Sequence, residues 1–246
     1  MINILIADDN IYYAKILMNT INGELRNNIK VSHIATDGQE TISLLQTCQI
    51  DIILLDLKMP IYNGIDILNI IEKKQMKQYK ESIIVISGED EMLNGIRENE
   101  YIYRILNKIC SISKIIDTIN ELLENKQENK KQQNIKRQLV KELQYLNYNL
   151  SHKGTLYLID TIILIYNKKD NETFNLKEEI YPIIAKRYDE TIHNIKSNIN
   201  KANDYMYRVC KEERIQSYFK FFDRTKPTVK NVIYTIITKI EEKVEN

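Results

Sequence analysis

The stretch Ile50-Asp51-Ile52-Ile53-Leu54-Leu55-Asp56-Leu57-Lys58-Met59-Pro60 decides the fold of the first half of the chain. Its apolar run is broken only by Asp51 and is closed by a carboxylate, Asp56. The run is strand-sized, and a strand that is apolar on both faces must be covered on both faces. The N-terminus repeats this design, with Ile2–Ala7 closed by Asp8-Asp9. Between these runs the periodicity turns helical over Ile11–Leu25, with apolar residues at Ile11, Ala14, Leu17, Met18, Ile21 and Leu25. Val31–Ala35 then reads as a strand, and Gln39–Cys48 as a helix with Ile42, Leu44 and Leu45 inward. Gly64–Glu72 reads as a helix, Ile83–Ile86 as a strand and Ser113–Leu123 as a last helix. Alternating helices and buried strands predict an α/β unit, a parallel sheet covered on both sides. In such sheets ligands gather at the carboxyl ends of the strands.

The polar residues fall at that edge. Asp8 and Asp9 end the first strand, Asp56 the third and Ser87 the next, while Lys108 follows a weaker apolar stretch. Three carboxylates in one crevice repel one another and call for a hard divalent cation with oxygen ligands, most simply Mg²⁺. A lysine and a hydroxyl beside them suit a phosphoryl group, and one carboxylate suits a nucleophile that would carry an acyl phosphate.

The 246 residues leave room for two modest domains. With 43% hydrophobic and 28% charged residues, the chain is not disordered over its length. No apolar run approaches the roughly 20 residues of a membrane span, and the N-terminus lacks a basic segment, so a cytoplasmic location is expected. Cys48, Cys110 and Cys210 form no CxxC pair and read as packing residues. The net charge of +1 hides a polarity: residues 1–124 carry 12 Lys+Arg against 18 Asp+Glu, and residues 140–246 carry 18 against 15. An acidic front and a basic back suggest two modules with different partners. Asn125–Asn134 contains no apolar residue and reads as a linker or a solvated helix extension. The expected organisation is 1–124, a linker over 125–134, and 135–246.

Beyond that stretch the periodicity is helical: Leu139–Leu146, Leu156–Tyr166, Leu176–Tyr188, Thr191–Val209 and Val229–Val244. Only Asp189-Glu190 separate the third and fourth of these, the spacing of a helix-turn-helix. Ile192, Ile195, Ile199 and Ala202 should face the core. That leaves His193, Asn194, Lys196, Ser197, Asn200 and Lys201 on the other side, a face able to bond base edges and phosphates. An ordinary solvated face is the alternative.

Two resemblances follow from these residues. Asp8-Asp9, Asp56 with Leu57-Lys58-Met59-Pro60 and Gly64 beyond, Ser87 and Lys108 make residues 1–124 similar to the receiver domain of bacterial two-component response regulators. The resemblance implies a doubly wound, flavodoxin-like sheet with Asp56 as phospho-acceptor. It also implies Mg²⁺ held by Asp8, Asp9, Asp56 and the Lys58 carbonyl, with Ser87 and Lys108 engaging the phosphoryl group. The second resemblance rests on Lys153-Gly154-Thr155-Leu156-Tyr157-Leu158, Ile180–Tyr188 and Thr225-Lys226-Pro227-Thr228. These make the rest of the chain similar to the all-helical DNA-binding domain of the stage-zero sporulation protein A family. Together they imply a transcription regulator linked to sporulation or stationary-phase control, not an enzyme. A sensor kinase or phosphotransfer protein would phosphorylate it, and it would act on double-stranded DNA as a homodimer when active.

The sequence also departs from both patterns. Lys108 is followed by Ile109 where the receiver family has Pro, and Ile105 stands where it has an aromatic residue. The sporulation family's recognition helix is rich in Arg where this chain has Asn, Ser and Lys, which shifts the expected reading from guanine toward adenine. These departures keep two alternatives open: a DNA-binding regulator independent of phosphate, and a non-DNA-binding antagonist that forms mixed dimers.

Overall fold

The computed structural model describes residues 1–25, 28–88, 93, 95–168, 174–219 and 225–244. The chain folds as two compact units, Met1–Lys126 and Gln127–Asn246.

The first unit is built on strands β1 (Ile2–Ala7), β2 (Ile29–Ala35), β3 (Ile52–Leu55), β4 (Ile83–Ser87) and β5 (Ile102–Asn107). They form a parallel sheet in the order β2-β1-β3-β4-β5. Helices α1 (Ile11–Glu24), α2 (Gly38–Thr47) and α3 (Gly64–Lys73) connect them, and a fourth helix, α4, begins at Ile112. Strand alternation divides the core. Ile4, Ile6, Ile52, Leu54, Ile84 and Ile86 pack with α1 and the start of α4, whereas Leu5, Ala7, Ile53, Leu55, Ile83 and Val85 pack with α2 and α3. This two-sided burial accounts for the unbroken apolar runs. The chain leaves β1 for β2 on one side and returns to β3 on the other. That reversal opens the crevice between the ends of β1 and β3.

Several boundaries differ from the sequence expectation. The helix predicted to end at Leu123 runs on to Tyr145, so of the two readings of the apolar-free stretch, linker or solvated helix extension, the structure has the largely exposed helix. In α2 only Leu45 of the three expected inward residues is buried. Ile42 and Leu44 are half-buried, and Thr41 is buried instead, its hydroxyl donating to the Asp37 carbonyl at 2.8 Å.

The second unit begins within α4 (Ile112–Tyr145) and continues with α5 (Lys153–Tyr166), α6 (Tyr181–Tyr188), α7 (Ile192–Val209), α8 (Glu212–Tyr218) and α9 (Val229–Val244). The predicted helix Leu176–Tyr188 is split: Leu176–Ile180 forms a π-turn, and regular α-helix starts with Tyr181-Pro182. Proline has no N–H for the i→i−4 ladder, so the wider turn precedes it. Helix α8 was not foreseen. The core joins Leu139, Leu143 and Leu146 of α4, Leu158, Ile162 and Ile165 of α5, Ile195, Ile199 and Met206 of α7, and Val232, Ile233 and Ile236 of α9. Buried Asn203 ties this core to a loop, accepting from the Tyr148 hydroxyl at 2.9 Å and donating to the Pro227 carbonyl at 2.8 Å.

Helices α5 and α7 approach closely at Gly154. A Cβ at Gly154 would lie 1.9 Å from the Asn198 carbonyl oxygen, a backbone atom that cannot swing away. Gly154→Ala must therefore separate the two helices and should cost about 3 kcal/mol, lowering the melting of the second unit by roughly 10 °C. Gly23→Ala, near the end of α1 with nothing within 4 Å, should be neutral or slightly stabilising. Thermal melts of both variants check this, and equal melting temperatures would contradict it.

Candidate functional site

The carboxyl ends of β1, β3, β4 and β5 deliver the five predicted residues, two of them from β1. Asp8 directly follows β1 and is 3% exposed, Asp56 directly follows β3 and is 5% exposed, and Ser87 closes β4 at 2%. Lys108 follows β5, its backbone N–H bonded to the Ser87 carbonyl at 3.0 Å. Asp9 is exposed at the mouth. The carboxylate oxygens of Asp8, Asp9 and Asp56 lie within 4.8 Å of one another. Lys108 Nζ is 2.8 Å from Asp8 Oδ2 and 2.7 Å from Asp56 Oδ2. The Asn10 N–H donates to Asp8 Oδ1 at 2.9 Å, which fixes the first carboxylate. Lys58 is exposed, two residues beyond Asp56.

The electrostatics follow from burial. Removal from water pushes the Asp8 carboxyl above its usual range, against the pull of Lys108 and the Asn10 N–H. Burial alone would pull the Lys108 ammonium down, but its hydrogen bonds to Asp56 and Asp8 outweigh this and hold it above its ordinary value. Asp8, Asp9 and Asp56 thus bring hard oxygen donors together, and Lys108 is bonded to two of them. That donor set fits a divalent cation of the Mg²⁺ type.

The loop carrying Asp56 is held from below. A Cβ at Gly64 would lie 2.6 Å from the Asp56 carbonyl oxygen and 2.8 Å from the Leu57 Cα, and the Gly64 N–H donates to the Leu57 carbonyl at 2.9 Å. Asn63 and Asp66 close a capping box around the start of α3, which fixes this approach. Sequence reasoning missed Tyr13 of α1. Its ring centroid lies 5.3 Å from Lys108 Nζ, and its buried hydroxyl has no hydrogen-bond partner. Nothing in the helical spacing distinguishes this residue from an ordinary half-buried tyrosine.

At the positions of departure, Ile105 is half-buried, and no cis peptide occurs among the described residues. Of the nearby tyrosines, Tyr103 lines the same cavity as Ser87 and Ile105. Tyr101 is buried, and the Tyr103 hydroxyl accepts from Asn125 at 2.8 Å.

In the second unit, α6 ends at Asp189 in the left-handed conformation (φ 51°, ψ 48°), and the Thr191 hydroxyl caps α7 by accepting from the Asn194 N–H at 3.1 Å. His193, Asn194, Lys196 and Lys201 are exposed, and Ser197 and Asn200 are half-buried. Ile195, Ile199 and Ala202 face the core as expected, but Ile192 does not. It is 39% exposed, because the first turn of α7 projects beyond the packed region, and Asn203 and Met206 extend the buried stripe instead. Asn194 Nδ2 donates to Glu190 Oε2 at 2.9 Å, which sets the orientation of that amide.

Two families account for most of the chain. Residues 4–120 match the response regulator receiver domain, and residues 139–240 match the sporulation initiation factor Spo0A C-terminal domain. The chain thus carries a match to a receiver domain followed by a match to a Spo0A C-terminal domain. Its receiver is 37% identical over 87 residues to the protein-glutamate methylesterase/protein-glutamine glutaminases of Pyrococcus horikoshii and Pyrococcus abyssi. That match covers 35% of this chain and only 22% of either relative. Among solved structures, a Francisella response regulator receiver domain matches with 26% identity and a TM-score of 0.44, covering 51% of this chain and 99% of that one. A receiver domain protein of Methanospirillum hungatei matches with 21% identity and a TM-score of 0.45, covering 52% and 98%. The part that matches the Spo0A C-terminal domain is the all-helical second unit.

Asp9 is the exposed member of the receiver's acidic trio, so the expectation that it is a cation ligand can be tested apart from folding. Asp9→Asn should weaken Mg²⁺ binding at least tenfold in calorimetric titration, while stability stays within about 0.5 kcal/mol of the parent. Unchanged Mg²⁺ affinity would remove Asp9 from the ligand set.

Proposed function

We propose that this response regulator controls transcription in sporulation or stationary phase, and that phosphorylation of Asp56 switches it. The observation that carries the reading is the convergence of buried Asp56, Asp8 and Lys108 at the strand reversal, where Lys108 Nζ bridges both carboxylates. A kinase or phosphotransfer protein would donate the phosphoryl group. An Asp56 carboxylate oxygen would attack phosphorus, the bond from phosphorus to the donor would break, and the departing donor group would leave with its bonding electrons.

Asp8 and Asp9 would hold Mg²⁺ with Asp56 and the Lys58 carbonyl, and the bound cation would neutralise charge on the phosphoryl oxygens. Lys108 would then turn from carboxylate to phosphoryl oxygen, with the Ser87 hydroxyl beside it. The added charge would bias a two-state receiver toward pairing, so that two copies of α7 meet two half-sites on DNA. The reading places the protein in the cytoplasm.

A second reading, in which the protein binds DNA without needing phosphate, is favoured by Ile105. The signal from Ser87 has no aromatic ring at that position to move. Phosphorylation with a small acyl-phosphate donor separates the two readings. Label should appear on the parent in the presence of Mg²⁺ and disappear in Asp56→Ala. DNA affinity that is equal before and after labelling would favour the second reading, whereas full labelling of the variant would overturn Asp56 as acceptor.

For the effector, Asn194 would be the residue that reads adenine; its amide donates to Glu190 Oε2 at 2.9 Å. Asn194→Ala should cost about 1–3 kcal/mol on the preferred site and relax preference there. Site selection from random duplexes measures this, and a guanine-dominated site insensitive to Asn194 would show that another face reads.

A further inference from the structure

A groove of about 500 Å³ opens beside α7 in the second unit, walled by the π-turn before α6, by α7 itself and by the start of α9. Each wall contributes one exposed lysine: Lys177, Lys196 and Lys230. No acidic residue lines the groove among the described residues, and none of the three lysines forms an ion pair with a described carboxylate. This differs from their surroundings. Nearby Lys226 is paired with Asp204, and Lys168 lies 3.2 Å from Glu179. Lys230 is instead held over aromatic rings, 5.5 Å from the Phe174 centroid and 5.7 Å from that of Tyr234. Such a platform restrains an ammonium while leaving its charge for a ligand. The groove therefore collects cations that no described carboxylate pairs, on a face that also carries Asn200 of α7.

The ligand that fits is a string of anionic oxygens, because the lysines stand on three separate elements around an open trough. The N–H groups of Lys177 and Glu178 are already taken by the Asn175 side chain, at 3.1 and 3.2 Å, so the ammoniums must do the binding. We propose that this groove is a backbone clamp: it holds phosphates of one DNA strand while α7 lies in the adjoining major groove. Lys177 and Lys230 then become DNA-contacting residues outside the recognition helix. The proposal rests on the reading of α7 as that helix and adds where the duplex is gripped.

The test uses the full chain and measures affinity for its selected site and for a random duplex across a salt series. Lys177→Gln and Lys230→Gln should each weaken both duplexes by the same factor. Each should also reduce the slope of log affinity against log salt by about 0.9, the value of one phosphate contact. Lys177→Arg and Lys230→Arg should restore the slope, and Lys168→Gln, whose charge is already paired, should leave it unchanged. An unchanged slope in both Gln variants overturns the clamp, as does a groove that binds inorganic phosphate while the DNA slopes stay as in the parent. If the parent itself binds no duplex at any salt, the reading of α7 fails, a result distinct from failure of the clamp.

Discussion

The ammonium of Lys108 lets the ends of β1 and β3 meet. The strand order brings Asp8 and Asp56 to one point, both almost fully buried, and two carboxylates there would repel strongly in a medium far less polar than water. One cation bonded to both, at 2.8 and 2.7 Å, offsets that repulsion. Because it is a flexible side chain arriving from β5, it can be displaced when another cation or a phosphoryl group enters. The crevice is thus stable as it stands and chemically poised, and the same residue links the middle of the sheet to its edge strand.

Much of this was legible in the sequence, for definite reasons. Asp56 and Asp8 end apolar runs that could only be buried strands, so their position at one edge followed from the alternation. Lys108 followed from resemblance more than from pattern, since β5 is only partly buried and its apolar signal is weak. Tyr13 was not legible, because its meeting with Lys108 arises from how α1 packs beside the crevice and leaves no trace in spacing. Helix α8 was missed because seven residues with two buried side chains give too little periodicity to read. The continuation of α4 stayed open between linker and solvated helix for the opposite reason: ten polar residues can be helical with no face to bury, so periodicity cannot decide between the two.

The second unit shows a similar division between framework and surface. The inward stripe of α7 was visible from Ile195 onward, but its first turn lies beyond the core, so Ile192 was misassigned. Interactions among polar groups, such as Glu190 with Asn194 or Asn203 with Pro227, depend on neighbours brought close by folding and could not be read from residue type. The cations around the groove beside α7 were equally hidden. Lys177, Lys196 and Lys230 are far apart in the chain, and lysine is abundant throughout it.

The missing Cβ of Gly154 fixes how α7 is carried. With α5 seated directly on the Asn198 carbonyl, the back of α7 is immobilised by a contact in which no side chain takes part on the α5 side. The opposite side of the helix is under no such restraint. Its exposed polar residues can be exchanged one for another without moving the axis that presents them, so whatever that surface meets can change by steps that leave folding untouched. A scaffold of this kind separates heritable change in what is recognised from change in whether the domain stands.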